Sequence, residues 1–176
     1  MNEKEIYDKI ESLRQPLKIS KFLGAMSNEV IRDALIKEGF RVSERDSFIK
    51  GVPYEIDLMI LKKKAVPIFN GYYDPEDVLC VFELKYRGIY GKEELSHIKK
   101  MFESVKMINK SINGIYLTVY ENKKHSHRAT KEKIGMDIFE LFSPNTSMDS
   151  AMKKGIFYDS ATGDWKRLIN HLSTLS

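Results

Sequence analysis

Val81-Phe82-Glu83-Leu84-Lys85-Tyr86-Arg87 reads as a strand whose two faces disagree. Successive strand side chains point to opposite faces, so Phe82, Leu84 and Tyr86 share one face while Glu83 and Lys85 share the other. A strand that is otherwise apolar has little structural reason to hold a carboxylate and an amine together. Burying such groups costs free energy unless they are paired or bind a metal. Upstream, Tyr54-Glu55-Ile56-Asp57-Leu58-Met59-Ile60-Leu61 reads as a second apolar strand with an acid at its entrance.

Working outward, Phe40 to Ser43 opens an extended segment whose β partner runs through residues 54–61, with Gly51-Val52-Pro53 near the turn. A helix is predicted from Asn28 to Glu38, with Ser27 as N-cap, Gly39 as the stop, and Val30, Ile31, Ala34 and Leu35 as its buried stripe. Residues 3–14 form another, with Ile6, Ile10 and Leu13 at helical spacing and Pro16 ending it. Residues 62–77 are a polar connection of a length that is often functional or mobile. Downstream, Leu95, Ile98, Phe102, Val105 and Ile108 share one face of a helix over residues 92–110, and Gly114 to Tyr120 is a strand. Strand, helix and strand in succession predict a right-handed parallel crossover. Residues 123–133 are a basic loop or helix start, Asp137 to Phe142 a strand, Gly155 to Tyr158 a short extended piece, and Trp165 to Leu172 a final helix. The expected class is α/β, a mixed sheet covered on both faces.

At 176 residues the chain fits one domain with a sizeable core. Its formal charge of +4 is a mild bias toward polyanions. The single cysteine, Cys80, excludes an internal disulfide framework, fits a reducing compartment, and abuts the apolar Val78-Leu79 as a core thiol would. No run approaches the roughly 18 apolar residues of a membrane span, and Met1-Asn2-Glu3-Lys4-Glu5 lacks a signal-peptide core, so a cytoplasmic protein is expected.

With Ile56-Asp57, Glu83-Leu84-Lys85 and this element order in view, the chain resembles the PD-(D/E)XK nuclease superfamily. The resemblance covers about residues 27–120. It implies a single nuclease-like domain over 1–176, a restriction-endonuclease-like three-layer sandwich with a mixed central sheet and helices on both faces. It also implies a Mg²⁺-dependent endonuclease acting on DNA, with Mn²⁺ able to substitute. Hydrolysing a phosphodiester requires charge stabilisation at the phosphate and a supply of hydroxide, and a hard divalent cation with oxygen ligands provides both. In the resemblance, Asp57 and Glu83 are the carboxylate ligands, the Leu84 backbone carbonyl is a third oxygen, and Lys85 orients the attacking water. Partial desolvation beside a cation would ease loss of the lysine's proton. Glu29 stands as an accessory acid on the helix before the first strand, or as a first-turn acid that favours the helix dipole. Ile56 takes the place of the name-giving proline, and Glu55, on the Asp57 face by alternation, competes as the ligand. Asp57 is preferred because it leads directly into the apolar strand.

Candidate nucleic-acid contacts are Lys62, Lys63, Arg87, Lys123, Lys124 and Arg128, with solvated lysines as the alternative. Tyr72 and Tyr73 either stack on bases or anchor the long connection. His125 and His127 without nearby cysteines are a poor zinc signal. Partners expected are nucleic acid, no membrane, and a homodimer, since many enzymes of this fold cut two strands as dimers. The alternatives are a catalytically inactive nucleic-acid-binding or assembly module on the same fold, and an RNA-directed nuclease.

Overall fold

The central strand is longer than its charged part, running Val78–Arg87 in a computed structural model that describes residues 1–14, 20–87, 91–120, 127–143 and 160–175. In chain order the elements are α1 (Glu3–Arg14), α2 (Ser20–Lys37), β1 (Arg41–Val42), β2 (Ser47–Ile49), β3 (Glu55–Ile56), β4 (Leu58–Leu61), β5 (Tyr72–Tyr73), a 3₁₀ turn (Pro75–Asp77), β6 (Val78–Arg87), α3 (Lys92–Ile108), β7 (Asn113–Tyr120), α4 (His127–Ile134), β8 (Asp137–Ser143), β9 (Ser160–Ala161) and α5 (Asp164–Ser173).

Among the described residues the main sheet has the order β1-β4-β6-β7-β8-β9. Strands β1, β4 and β6 are antiparallel neighbours, β6, β7 and β8 are parallel, and β9 closes the edge antiparallel to β8. The parallel β6–β7 step is made by α3, as the strand–helix–strand succession predicts. A close approach fixes that crossover. A Cβ on Gly114 would stand 2.4 Å from the Phe102 ring, so only glycine lets α3 lie this near β7.

The two faces of the sheet bury separate cores. On one side Ile6 and Ile10 of α1, Val30, Ile31, Ala34 and Leu35 of α2, and Trp165, Leu168 and Leu172 of α5 pack on Leu58, Phe82 and Leu117. On the other, Leu95, Ile98, Met101, Phe102 and Val105 of α3 and Ile134 of α4 pack on Met59, Val81 and Tyr116. Each such fully buried aliphatic or aromatic side chain contributes about 1.5–3 kcal/mol. The result is the three-layer arrangement expected, with α1, α2 and α5 on one face and α3 and α4 on the other. No helix among the described residues is long and apolar enough to cross a membrane.

The predicted strand over 54–61 is two strands. Residues 55–56 belong to a small sheet of order β3-β2-β5, residues 58–61 to the main sheet, and Asp57 is the joint between them. The helix predicted from Asn28 begins at Ser20, so Ser27 is an interior helical residue, 1% exposed, and not its cap. Gly39 does end that helix, at φ +91°, with the Phe40 N–H donating to the Leu35 carbonyl. The extended piece expected at 155–158 lies outside the described residues.

Candidate active site

The β4–β6 register pairs Leu58 with Phe82 and Met59 with Val81. Continued by one residue, it sets Asp57 opposite Glu83 on the α3 face of the sheet. Period-two alternation then brings Lys85 to the same face, one pleat further along β6. The bent joint at Asp57 is held by two backbone contacts. Its Oδ2 accepts the Leu84 N–H at 2.6 Å, and its carbonyl accepts the Asp46 N–H at 3.4 Å.

Electrostatics mark this corner. Burial, then the charge of Glu83, pushes the Asp57 carboxyl up to about 7, although the Leu84 N–H and Lys85 pull the other way. The Lys85 Nζ lies 2.7 Å from Glu83 Oε1 and 3.8 Å from Glu94 Oε1. Burial alone would lower the lysine's pKa, but the charge and hydrogen bond of Glu83, then Asp57 and Glu94, reverse this and leave it raised. Three neighbouring carboxylates thus outweigh desolvation at Lys85. Two carboxylates forced together in a partly buried corner form a donor set suited to a divalent cation, whose charge removes their mutual repulsion. Mg²⁺ is commonly held by one or two carboxylates and fills its shell with other oxygens. Among the described residues no cluster of three or more His, Cys, Asp or Glu is close enough to hold a metal, and the carboxylate pair is the candidate they present.

The remaining candidates scatter. Glu29 on α2 is half-exposed and drawn to Arg45, whose NH1 is 3.8 Å from Glu29 Oε1 and whose NH2 is 3.3 Å from Asp46 Oδ2. It reaches the corner through that chain of contacts. Glu55 sits exposed on β3, paired in register with Phe48 of the small sheet. Lys62 and Lys63 lie past the far end of β4, roughly 17–20 Å from Asp57 at the usual strand rise. Arg87 ends β6 beside Tyr120, and Arg128 falls on α4; the description does not extend to either side chain. Lys123, Lys124 and His125 lie outside the described residues. The tyrosine pair divides. Tyr73 is buried and its hydroxyl donates to Glu44 Oε2 at 2.7 Å, with burial and then that carboxylate pushing its pKa up to about 12. Tyr72 stacks on Phe69, centroids 4.8 Å apart.

Three neighbours were not anticipated. Asp46, at φ +54°, puts its carboxylate within electrostatic reach of Asp57. Thr118, the register partner of Lys85 on β7, is fully buried, and its hydroxyl has no hydrogen-bond partner among the described residues. Glu94 belongs to the same stripe of α3 as the buried Ile98, Met101 and Val105. That acid on an apolar stripe is a signal readable in the sequence, whereas Asp46 carries none.

No family model matches the sequence, and no curated protein matches it. Solved structures do. NucC of P. aeruginosa ATCC27853, in a cAAA-bound form, aligns with a TM-score of 0.69 at 14% identity, over 99% of this chain and 88% of that one. NucC of E. coli MS115-1 gives 0.64 in its cAAA-bound form, over 99% and 88% of the two chains, and 0.57 in its apo form, over 98% and 92%, each at 14% identity. Such a likeness at low identity speaks to architecture: the chain shares the fold of NucC, a restriction-endonuclease-like three-layer arrangement.

Proposed function

We propose that this protein is a Mg²⁺-dependent endonuclease that hydrolyses phosphodiester bonds in DNA. The observation that carries the reading is the convergence, on one face of the sheet, of Asp57, Glu83 and Lys85 from β4's entrance and β6, with Lys85 2.7 Å from Glu83. The same fold in NucC supports it. Asp57 and Glu83 would hold the cation, with the Leu84 carbonyl as a further oxygen. A divalent cation bound there supplies charge neutralisation at the phosphate and a more acidic water. Asp57 is held for this by its own scaffold, since the Leu84 N–H occupies Oδ2 and leaves Oδ1 for the cation. Lys85 donates hydrogen bonds to the attacking oxygen and to the phosphate, and as an ammonium it opposes the charge that builds there. In the reaction the water oxygen bonds to phosphorus, the bond from phosphorus to the leaving oxygen breaks, the water's proton passes to solvent, and the leaving oxygen takes one back.

Incubation of supercoiled plasmid, single-stranded DNA and RNA with Mg²⁺ or Mn²⁺, wild type beside Lys85→Ala, tests this. Cation-dependent cutting of DNA that falls at least about 10³-fold in the variant is expected, on the scale of losing an electrostatic catalytic group. Cutting by both proteins alike refutes the role of Lys85. Cutting of RNA alone transfers the site to a different substrate, and no cutting of any of the three counts against the enzyme.

A further inference from the structure

Lys85 is shared. Its ammonium lies between Glu83 Oε1 at 2.7 Å, on its own strand, and Glu94 Oε1 at 3.8 Å, on α3. Both carboxylates are partly buried, at 15% and 32% side-chain exposure, so neither pair is a fully solvated surface contact. In the reading above Glu83 has two claimants, the cation and Lys85, which compete for one carboxylate. Glu94 has none but Lys85 among the described residues. Its position is also fixed. It sits in the first turn of α3, where the helix dipole favours a carboxylate, and the helix is seated on the sheet by Phe102 over Gly114 and tied near the Asp57 strand by the edge-on contact of His97 with Tyr54, centroids 5.5 Å apart.

Formal charges point the same way. Asp57, Glu83 and Glu94 surround one ammonium, and a single divalent cation on the first two brings the group to neutrality, provided Glu94 keeps Lys85. We propose that Glu94 is a positioning residue that takes Lys85 over from Glu83 when a divalent cation binds, freeing Glu83 as a ligand and holding the ammonium beside the reacting phosphate. This rests on the nuclease reading above. It assigns to α3 a part in the chemistry that the Asp57, Glu83 and Lys85 triad does not contain.

The test is a double-mutant cycle read by Mn²⁺ titration in the absence of nucleic acid, on wild type, Glu94→Ala, Glu94→Gln, Lys85→Ala and Lys85→Ala/Glu94→Ala. Without Glu94 the lysine stays on Glu83, so Glu94→Ala should weaken Mn²⁺ binding about 10-fold, the scale of an outer-shell partner. Glu94→Gln, whose amide oxygen still accepts from the ammonium, should restore most of that. In the Lys85→Ala background there is no competitor, and Glu94→Ala should then change Mn²⁺ affinity by less than about 2-fold, the coupling a cycle isolates. With plasmid, Glu94→Ala should lower kcat about 10- to 100-fold at unchanged KM. Equal weakening with and without Lys85 would show a simple through-space charge effect and overturn the assignment, as would unchanged affinity in Glu94→Ala. Failure of the wild type to bind Mn²⁺ overturns the cation reading and this one together, whereas the cycle can fail alone while the wild type still binds and cuts.

Discussion

Asp57→Asn should make this protein more stable while removing the proposed nuclease activity. The Asp57 carboxyl is held at about 7 in the folded protein against an ordinary 3.8, first by burial and then by Glu83. A displacement of that size corresponds to roughly 4 kcal/mol of opposition to the ionised form. The sign follows from proton binding. Between about pH 4 and 7 the folded state holds a proton that the unfolded chain has released, so this residue's contribution to stability declines as pH rises through that window and stays low above it. Asparagine carries no charge at any of these pH values, and its side-chain oxygen still accepts the Leu84 N–H that Asp57 accepts at 2.6 Å. Its amide can donate to Glu83. Urea denaturation with chelator present should show the variant more stable than wild type by about 2–4 kcal/mol at pH 8, and by less than about 1 kcal/mol at pH 4. For a chain of this size the pH 8 gain corresponds to a rise in Tm of about 5–12 °C. Added Mn²⁺ should stabilise wild type and leave the variant unchanged. A variant no more stable than wild type at pH 8, or equally stabilised at both pH values, would refute the view that Asp57 and Glu83 are held together at a cost that a cation relieves.

Three further outcomes follow from the same geometry. With Asp57 as the proposed ligand, proton and cation would compete for it, and Mn²⁺ affinity measured calorimetrically should fall about 10-fold from pH 8 to pH 6, the ionised fraction of a group titrating near 7; a flat profile would exclude Asp57 as a ligand. Gly114→Ala places a methyl group 2.4 Å from the Phe102 ring and 2.8 Å from Met136; it should cost about 1–3 kcal/mol in chemical denaturation, and a neutral result would mean α3 is free to shift off β7. Tyr73→Phe removes the donor to Glu44 and should cost about 1 kcal/mol, with the Glu44 carboxyl, held low chiefly by that hydrogen bond, titrating higher by NMR.

What the sequence disclosed and what it withheld divide along physical lines. The α3 stripe and the alternation in β6 were legible because periods of 3.6 and 2 persist over many residues and are set by burial against one partner. The break at Asp57 was not, because a strand that leaves one sheet for another keeps its apolar composition throughout: Ile56 and Leu58 are both fully buried, yet in different cores. Ser27 misled for a related reason. Serine beside asparagine favours a cap when judged locally, but Ser27 is buried within α2, which packs against α1 and begins at Ser20. The carboxylate pair and the lysine could be named from spacing alone. Of their neighbours, Glu94 left a trace as an acid on the apolar stripe of α3, whereas Asp46 and Arg45 left none, since they arrive from the β1–β2 turn by a contact that depends on folding and not on sequence distance.

Cys80 has a practical consequence for spectroscopy. The chain's one thiol is fully enclosed in the core beneath α1 and α2, and burial raises its pKa well above the usual value, so almost no thiolate exists at neutral pH to meet an alkylating dye. The native protein is therefore a silent background for maleimide chemistry. A cysteine placed at an exposed position, such as Lys99 on α3 or Phe69 on the long connection, can be labelled singly without first removing the natural one. Two such sites on one chain provide a fluorescent distance pair, through which movement of the long connection relative to α3 can be followed in the unaltered core.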